Sequence, residues 1–224
     1  MQCPLCESIS TTLFFSQVKS VNWELYGLSK NTNKSLDFFK CLSCALIFKD
    51  PSVLLSKIDE KIRYDLHNNN PNDASYDAFL ETLVEPILKL LKSDALGLDF
   101  GCGREKAIEN LFKKKKIFCE SYDPYFHKNT LLLNKKYDFI TVCETAEHFY
   151  NPKKEFELLF GMLKPNGILG IKTGLVPKDF ASWWYHRDPT HVVFYSTKTF
   201  EYISKEYSAA LEYLPKDVVL LDTT

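Results

Sequence analysis

The sequence carries almost no excess charge, no long apolar run and no low-complexity tract. Its 28 Lys and Arg stand against 29 Asp and Glu, for a formal net charge of −1. The whole molecule therefore exerts no pull toward nucleic acid or an anionic membrane, and only a local basic patch could do so. No stretch approaches the ~20 consecutive apolar residues that span a bilayer. The opening Met1-Gln2-Cys3-Pro4 lacks the basic and apolar regions of a secretory leader. A cytoplasmic protein without a membrane partner is expected. No internal repeat is present, which argues against a solenoid. With 224 residues, the chain can bury one full core beside a small accessory module.

Cysteine, by contrast, is abundant, with seven residues. Four of them form Cys3-Pro4-Leu5-Cys6 and Cys41-Leu42-Ser43-Cys44, two C-x-x-C pairs with 34 residues between them. Each pair can offer two thiolates to one tetrahedral site, which suits Zn2+. A rubredoxin-like iron site uses the same ligands. A redox role is the other alternative, but two copies in so short a segment fit a metal better. Four cysteines would close the site and make it structural, leaving no position for substrate. Cys102, Cys119 and Cys143 read as small buried hydrophobes. Residues 1–55 form short β-like pieces (12–15, 46–48) with too little apolar surface to fold unaided, so the metal would act as their core. Residues 56–75 read as a connector or lid, with a short helix at 56–63 and a polar turn at 67–73. Tyr64, His67 and Tyr76 are candidates to fold over a ligand.

Beyond residue 75 the pattern changes. Phe79, Leu80, Leu83, Val84, Ile87, Leu88 and Leu91 follow helical spacing, with Asp73 or Ser75 as cap and Pro86 as a kink. Strands are then expected at 96–100, 117–122, 137–143 and 168–173. Helices are expected at 105–112, 152–163 and 197–205. A turn at Lys164-Pro165-Asn166-Gly167 precedes the fourth strand, and 209–214 and 218–221 read as a closing pair of strands. This alternation implies an α/β fold with a mainly parallel sheet covered on both faces. The lysine run at 113–116 reads as a solvated helix end.

The chemistry concentrates at the carboxyl ends of the strands. Gly97-Leu98-Asp99-Phe100-Gly101-Cys102-Gly103 is a strand running into a glycine turn and then a helix, which lets a nucleotide-like ligand approach the backbone. Asp123 closes the second strand, 24 positions after Asp99, where a carboxylate can accept from ribose hydroxyls. The third strand ends in Cys143-Glu144-Thr145-Ala146-Glu147-His148-Phe149.

In order and spacing, Asp99–Gly103, Asp123-Pro124, Tyr137–Ile140 with Glu144–His148, and Leu163–Gly167 resemble class I S-adenosylmethionine-dependent methyltransferases. The resemblance covers residues 76–224 and implies a Rossmann-like sheet with S-adenosylmethionine as cofactor. A zinc module ahead of such a domain resembles a bacterial group of these enzymes, and Trp184-Tyr185-His186-Arg187-Asp188-Pro189-Thr190-His191 looks like a signature of that group. The resemblance implies that Asp99, Gly101, Cys102 and Gly103 shape the loop under the methionine moiety, that Asp123 takes the ribose, and that Glu144 lines the methyl-transfer side. His148 matches a residue often found there, and it reads equally well as a buried histidine orienting the loop. The chain departs from the family pattern twice. Glu105 stands where a third glycine belongs, and the 13 residues from Pro124 to Lys136 are too few for the usual helix and edge strand. A reduced sheet edge follows, with 131–133 as a remnant.

Residues 174–196 are the candidate substrate loop. His186 or His191 can serve as a base, Asp188 can orient one of them, and Arg187 can hold an anion bidentately. Alternatively, Asp188-Pro189-Thr190 is a turn whose polar groups simply hold the loop. The expected partner is a small or medium-sized acceptor, with the methylated atom and oligomeric state left open. Lys30, Lys34 and Lys40 do not make an RNA-binding surface. Two further readings remain: a non-catalytic scaffold on a degenerate fold, kept open by Glu105, and a nicotinamide-dependent oxidoreductase. The second is disfavoured by Lys106 at the third glycine of G-x-G-x-x-G.

Overall fold

A computed structural model of the protein describes residues 1–17, 35–66 and 74–223. Lys30, Lys34, His67 and the proposed cap Asp73 lie outside the described residues. The chain begins with strands β1 (Thr11–Gln17), β2 (Leu36–Cys41) and β3 (Ile47–Lys49), then helices α1 (Lys57–Asp65) and α2 (Ala74–Leu88). There follow β4 (Leu96–Phe100), α3 (Ala107–Lys114), β5 (Phe118–Tyr122), β6 (Tyr137–Cys143), α4 (Pro152–Met162) and β7 (Leu163–Lys172). The last elements are β8 (Val193–Phe194), α5 (Thr197–Glu206), β9 (Ala210–Leu214) and β10 (Val218–Asp222). They divide into two compact units. One holds residues 1–68, 147–153 and 174–202, and the other holds 69–146, 154–173 and 203–224.

The second of these units is built on a six-stranded sheet of order β5-β4-β6-β7-β10-β9. β5, β4, β6 and β7 are parallel, and β10 pairs antiparallel with both β7 and β9. The α/β class, the mainly parallel sheet and the closing antiparallel strands are as expected. So is the reduced edge, because residues 124–136 supply only a single 3-10 turn, Thr130–Asn134, and leave β5 outermost. Covered parallel strands read as continuous apolar runs rather than alternating ones, and β4 is buried from Gly97 to Phe100. Leu80, Leu83, Val84 and Ile87 of α2 pack with Ile108, Leu111 and Phe112 of α3 and with Phe139 and Val218 of the sheet. A Cβ on Gly97 would meet the Phe139 ring at 2.0 Å, so that glycine lets the ring lie flat on β4.

Boundaries differ from expectation at three places, and cysteine burial at a fourth point. Helix α2 stops at Leu88, two residues past Pro86, rather than reaching Leu91, because the amides of Leu90 and Leu91 turn to carbonyls three residues back, those of Ile87 and Leu88. Helix α3 starts at Ala107 rather than Glu105, with Lys106 in the left-handed conformation at φ 50°. The expected turn at 164–167 is instead a bulge within β7: the pairing with β6 jumps from Tyr137↔Leu163 to Phe139↔Ile168. Asn166, at φ 60°, and Gly167 give their amides to Thr223 there. Finally, Cys119 is buried as expected, but Cys102 and Cys143 are only partly so.

The other unit is organised around a small antiparallel sheet of order β1-β2-β3-β8. Its core gathers Leu36, Phe38, Ile47, Val53 and Leu55 with Phe180, Tyr185 and Phe194. Strand β8 comes from the segment after β7, and that long-range pairing has no signal in local sequence. It gives the cysteine-bearing strands an apolar partner surface that residues 1–55 alone do not contain.

Candidate functional site

The chain reverses direction across the sheet at β4, which lies between β5 and β6. In an open α/β sheet the crevice beyond the carboxyl ends at such a point is the ligand site. Three strand ends meet there. After β4, Gly101 and Gly103 adopt φ of 79° and 63°. A Cβ on Gly101 would strike Thr145 at 2.2 Å, whereas one on Gly103 would meet nothing within 4 Å. Gly101 is thus packed shut from behind, while Gly103 faces open space that a ligand can fill. Thr145 Oγ1 also donates to the Gly101 carbonyl at 3.2 Å.

Asp123, at the end of β5, is buried. Its Oδ2 accepts from Gly103 N at 3.0 Å, and its Oδ1 accepts from Tyr125 N and Phe126 N at 2.8 and 3.0 Å. Three amides on a carboxylate with about four acceptor positions leave one for a further donor. Asp99 lies deeper, accepting from Thr141 Oγ1 at 2.9 Å. Burial pushes its carboxyl up to about 7. Glu144, just after β6, is in the left-handed region at φ 46°, its amide held by the Lys172 carbonyl, and its side chain is exposed. Cys102 Sγ donates to the Gly103 carbonyl, and burial pushes its thiol up. Tyr76, on the first turn of α2, is half-buried, and its hydroxyl is pushed up by burial and by the nearby Cys143, Asp99 and Glu144. Glu105 is exposed and precedes α3, and its carbonyl accepts from Asn110. His127 was missed from the sequence. Its Nε2 meets the Arg104 carbonyl at 2.8 Å and its backbone bridges Asp123, so it ties the glycine turn to the residues after β5.

The four paired cysteines come together. Cys3 and Cys44 have sulfurs 3.5 Å apart, Cys6 and Cys41 have sulfurs 3.4 Å apart, and all four lie within 4.8 Å of one another. Sulfurs bound to one zinc at ~2.3 Å stand about 3.8 Å apart, so the set fits a tetrahedral ion. The two halves are built alike. Glu7 N bonds to the Cys3 carbonyl and Ala45 N to the Cys41 carbonyl, both at 3.0 Å, and Glu7 and Ala45 have φ of 59° and 60°. Amides of Leu5 and Cys6 are aimed at Cys3, that of Ser8 at Cys6 and that of Leu46 at Cys44, and each favours the thiolate.

His148, Asp188 and His191 also converge, while His186 does not join them. Asp188 accepts from Thr190 N at 2.9 Å and Thr190 Oγ1 at 2.6 Å, and forms a 2.7 Å ion pair with Arg63 of α1. Despite burial, its carboxyl is held well below the usual range by the Thr190 hydrogen bonds and the Arg63 charge. Lys49 Nζ, buried and lowered to about 7, donates to the Asp188 carbonyl. The turn so fixed presents Thr190 O to His148 Nδ1 at 2.9 Å. His191 Nδ1 meets Tyr185 O at 2.8 Å. His186 instead packs against Phe15 and Phe38 and stacks on Phe180 at 4.8 Å, where burial lowers it to about 4. Tyr64 lays its edge on His148 at 5.3 Å, and Arg187 is exposed. Glu147, not singled out by sequence reasoning, is fully buried and accepts from Tyr185 Oη at 2.5 Å. Its only sequence signal was adjacency to His148.

This strand-end architecture has known relatives. A family profile described as a methyltransferase domain matches residues 73–212, more than half of the chain, and the protein belongs to that methyltransferase family. No curated protein matches the sequence. Among solved structures, an O-methyltransferase family protein from Burkholderia thailandensis superposes with a TM-score of 0.51 at 14% identity, over 73% of this chain and 62% of that one. The present chain thus spans about three fifths of that relative's length, and the likeness is one of fold. A methyltransferase of calicheamicin biosynthesis, in its SAH-bound form, is similar at 8% identity and a TM-score of 0.49, over 73% of this chain and 56% of that one. Among the described residues, no helix is long and apolar enough to cross a membrane.

Proposed function

We propose that the protein transfers a methyl group from S-adenosylmethionine to a small or medium-sized acceptor. The observation that carries this reading is the glycine turn after β4. Gly103 opens onto free space, and its amide is anchored by the same Asp123 carboxylate that keeps an acceptor position for a ribose. When bound, the cofactor supplies a sulfonium-activated methyl group. The protein's part is to hold and align it: Asp99, Gly101, Cys102 and Gly103 shape the loop, Asp123 accepts from the ribose, and Glu144 lines the methionine side. Glu105 is exposed and its carbonyl serves Asn110 of α3, which is compatible with a cofactor-competent loop.

With His186 enclosed by Phe15, Phe38 and Phe180, His148, Asp188 and His191 are left as the candidates for handling the acceptor's proton. Because Asp188 is engaged by Thr190 and Arg63, its part is to position the turn that carries His191. We assign Cys3, Cys6, Cys41 and Cys44 to a structural Zn2+, which would tie the two cysteine turns together beside the core that β8 and its flanks supply.

Calorimetry with S-adenosylmethionine, S-adenosylhomocysteine and NAD tests the cofactor. The first two are expected to bind, with Asp123→Ala weakening both at least tenfold. Tight NAD binding without either sulfur ligand would refute the reading. Mass spectrometry of cell extract treated with the enzyme and isotopically labelled cofactor would then identify the acceptor.

A further inference from the structure

Glu147 and His148 stand in the 3-10 turn Ala146–His148, and His191 lies far along the chain, just before β8. Backbone bonding brings them together, since Val192 N donates to the Glu147 carbonyl at 2.8 Å. A carbonyl oxygen can only accept, so the bonds to Thr190 O and Tyr185 O place a proton on Nδ1 of both histidines. In the neutral rings, Nε2 is then the lone-pair nitrogen. These two nitrogens face one carboxylate oxygen: Glu147 Oε1 is 3.9 Å from His148 Nε2 and 4.0 Å from His191 Nε2. The rings themselves lie 4.9 Å apart at 72°.

Three acceptors thus converge within 4.8 Å in a site where Glu147 is fully buried and His191 nearly so. Glu147 already accepts from Tyr185 Oη, and a cation in this focus would meet that same carboxylate and both imidazole lone pairs. The outer partners are those of a metal centre as well. Each imidazole gives its other N–H to a backbone carbonyl, and the carboxylate is oriented by the Tyr185 hydroxyl.

We propose that Glu147, His148 and His191 form a second metal site, one that binds a first-row divalent cation, Zn2+ foremost. Two imidazoles and one carboxylate suit zinc, manganese or iron(II) rather than magnesium or calcium. Three protein ligands leave a coordination position open for an oxygen ligand, in contrast to the closed cysteine set. Ligands at ~2.1 Å in a tetrahedron stand about 3.4 Å apart, which small side-chain rotations reach from the observed separations.

Elemental analysis of the full chain is expected to find two zinc ions in the wild type and one in His148→Gln and in His191→Gln. Cobalt substitution assigns them. The thiolate-to-cobalt charge-transfer absorption is expected to persist in both variants, while the weaker ligand-field absorption of the nitrogen–oxygen site disappears. One zinc in the wild type with no further uptake of Zn2+ in calorimetry would overturn the site. So would folded variants with undiminished metal content. If the variants fail to fold, pulsed electron paramagnetic resonance of Mn2+-loaded wild type decides: imidazole nitrogen couplings support the site, and their absence overturns it. S-adenosylmethionine calorimetry is a separate measurement, so failure of the metal site and failure of the methyltransferase reading are told apart.

Discussion

Gly101 and Gly103 share a positive φ but answer different demands. An alanine at 101 would drive its Cβ into Thr145 at 2.2 Å, and Gly101→Ala is expected to cost about 3 kcal/mol or more in chemical denaturation. An alanine at 103 has open space and pays only the left-handed backbone, about 1–2 kcal/mol. Gly103→Ala should therefore stay folded yet lose most of its S-adenosylmethionine binding, and full retention of binding would contradict the site. Two buried charges make stability depend on pH in opposite senses. Asp99 is raised from 3.8 to about 7, so its contribution is present below 3.8 and lost as pH rises through 7. Lys49 is lowered from 10.5 to about 7, so its contribution is present above 10.5 and lost as pH falls through 7. Relative to wild type, Asp99→Asn should gain stability between pH 4 and 7, and Lys49→Met should gain it as pH falls from 10.5 to 7. Urea denaturation across that range checks both. The glycine turn and Asp123 were legible as residue types. Their division of labour was not, because Thr145 lies behind Gly101 only once β6 has paired with β4.

At the level of elements, the paired cysteine turns and helix α1 carry the clearest expectations. Each C-x-x-C half repeats the same amide-to-carbonyl bond and the same left-handed residue after its second cysteine. Cys44→Ser, or treatment of the native chain with a strong zinc chelator, should lower the thermal midpoint and abolish amide-exchange protection in β2 and β3. A melt indifferent to both would remove the structural role of the metal. Helix α1 is tied by Arg63 to Asp188, a pair whose side chains are 17% and 10% exposed. Asp188→Ala removes that pair and releases Thr190, and a loss of about 2–3 kcal/mol is expected in denaturant titration. Helices and parallel strands were readable because their apolar spacing is a local property. The errors fell at Lys106, Pro86 and residues 164–167, where backbone hydrogen bonding set the boundary rather than hydrophobicity.

For the molecule as a whole, the discontinuity of the cysteine-bearing unit has a practical consequence. Phe38 packs against Phe180 at 5.3 Å and Phe194 at 5.8 Å, and both come from beyond residue 173. A fragment of residues 1–68 should therefore fail to give dispersed NMR spectra even with zinc, although it carries all four thiolates. The sequence by itself determined the α/β class, the mainly parallel sheet, the shortened edge after β5 and the spacing of the cysteines. Each of these is written in local periodicity, chain length or fixed motif spacing. Only the tertiary structure decided that β8 completes the N-terminal sheet, that His186 lies in an aromatic core, and that Glu147, His148 and His191 share one focus. Those outcomes depend on contacts between residues far apart in sequence, and the free energy that selects them comes from packing and buried hydrogen bonds that no local window contains.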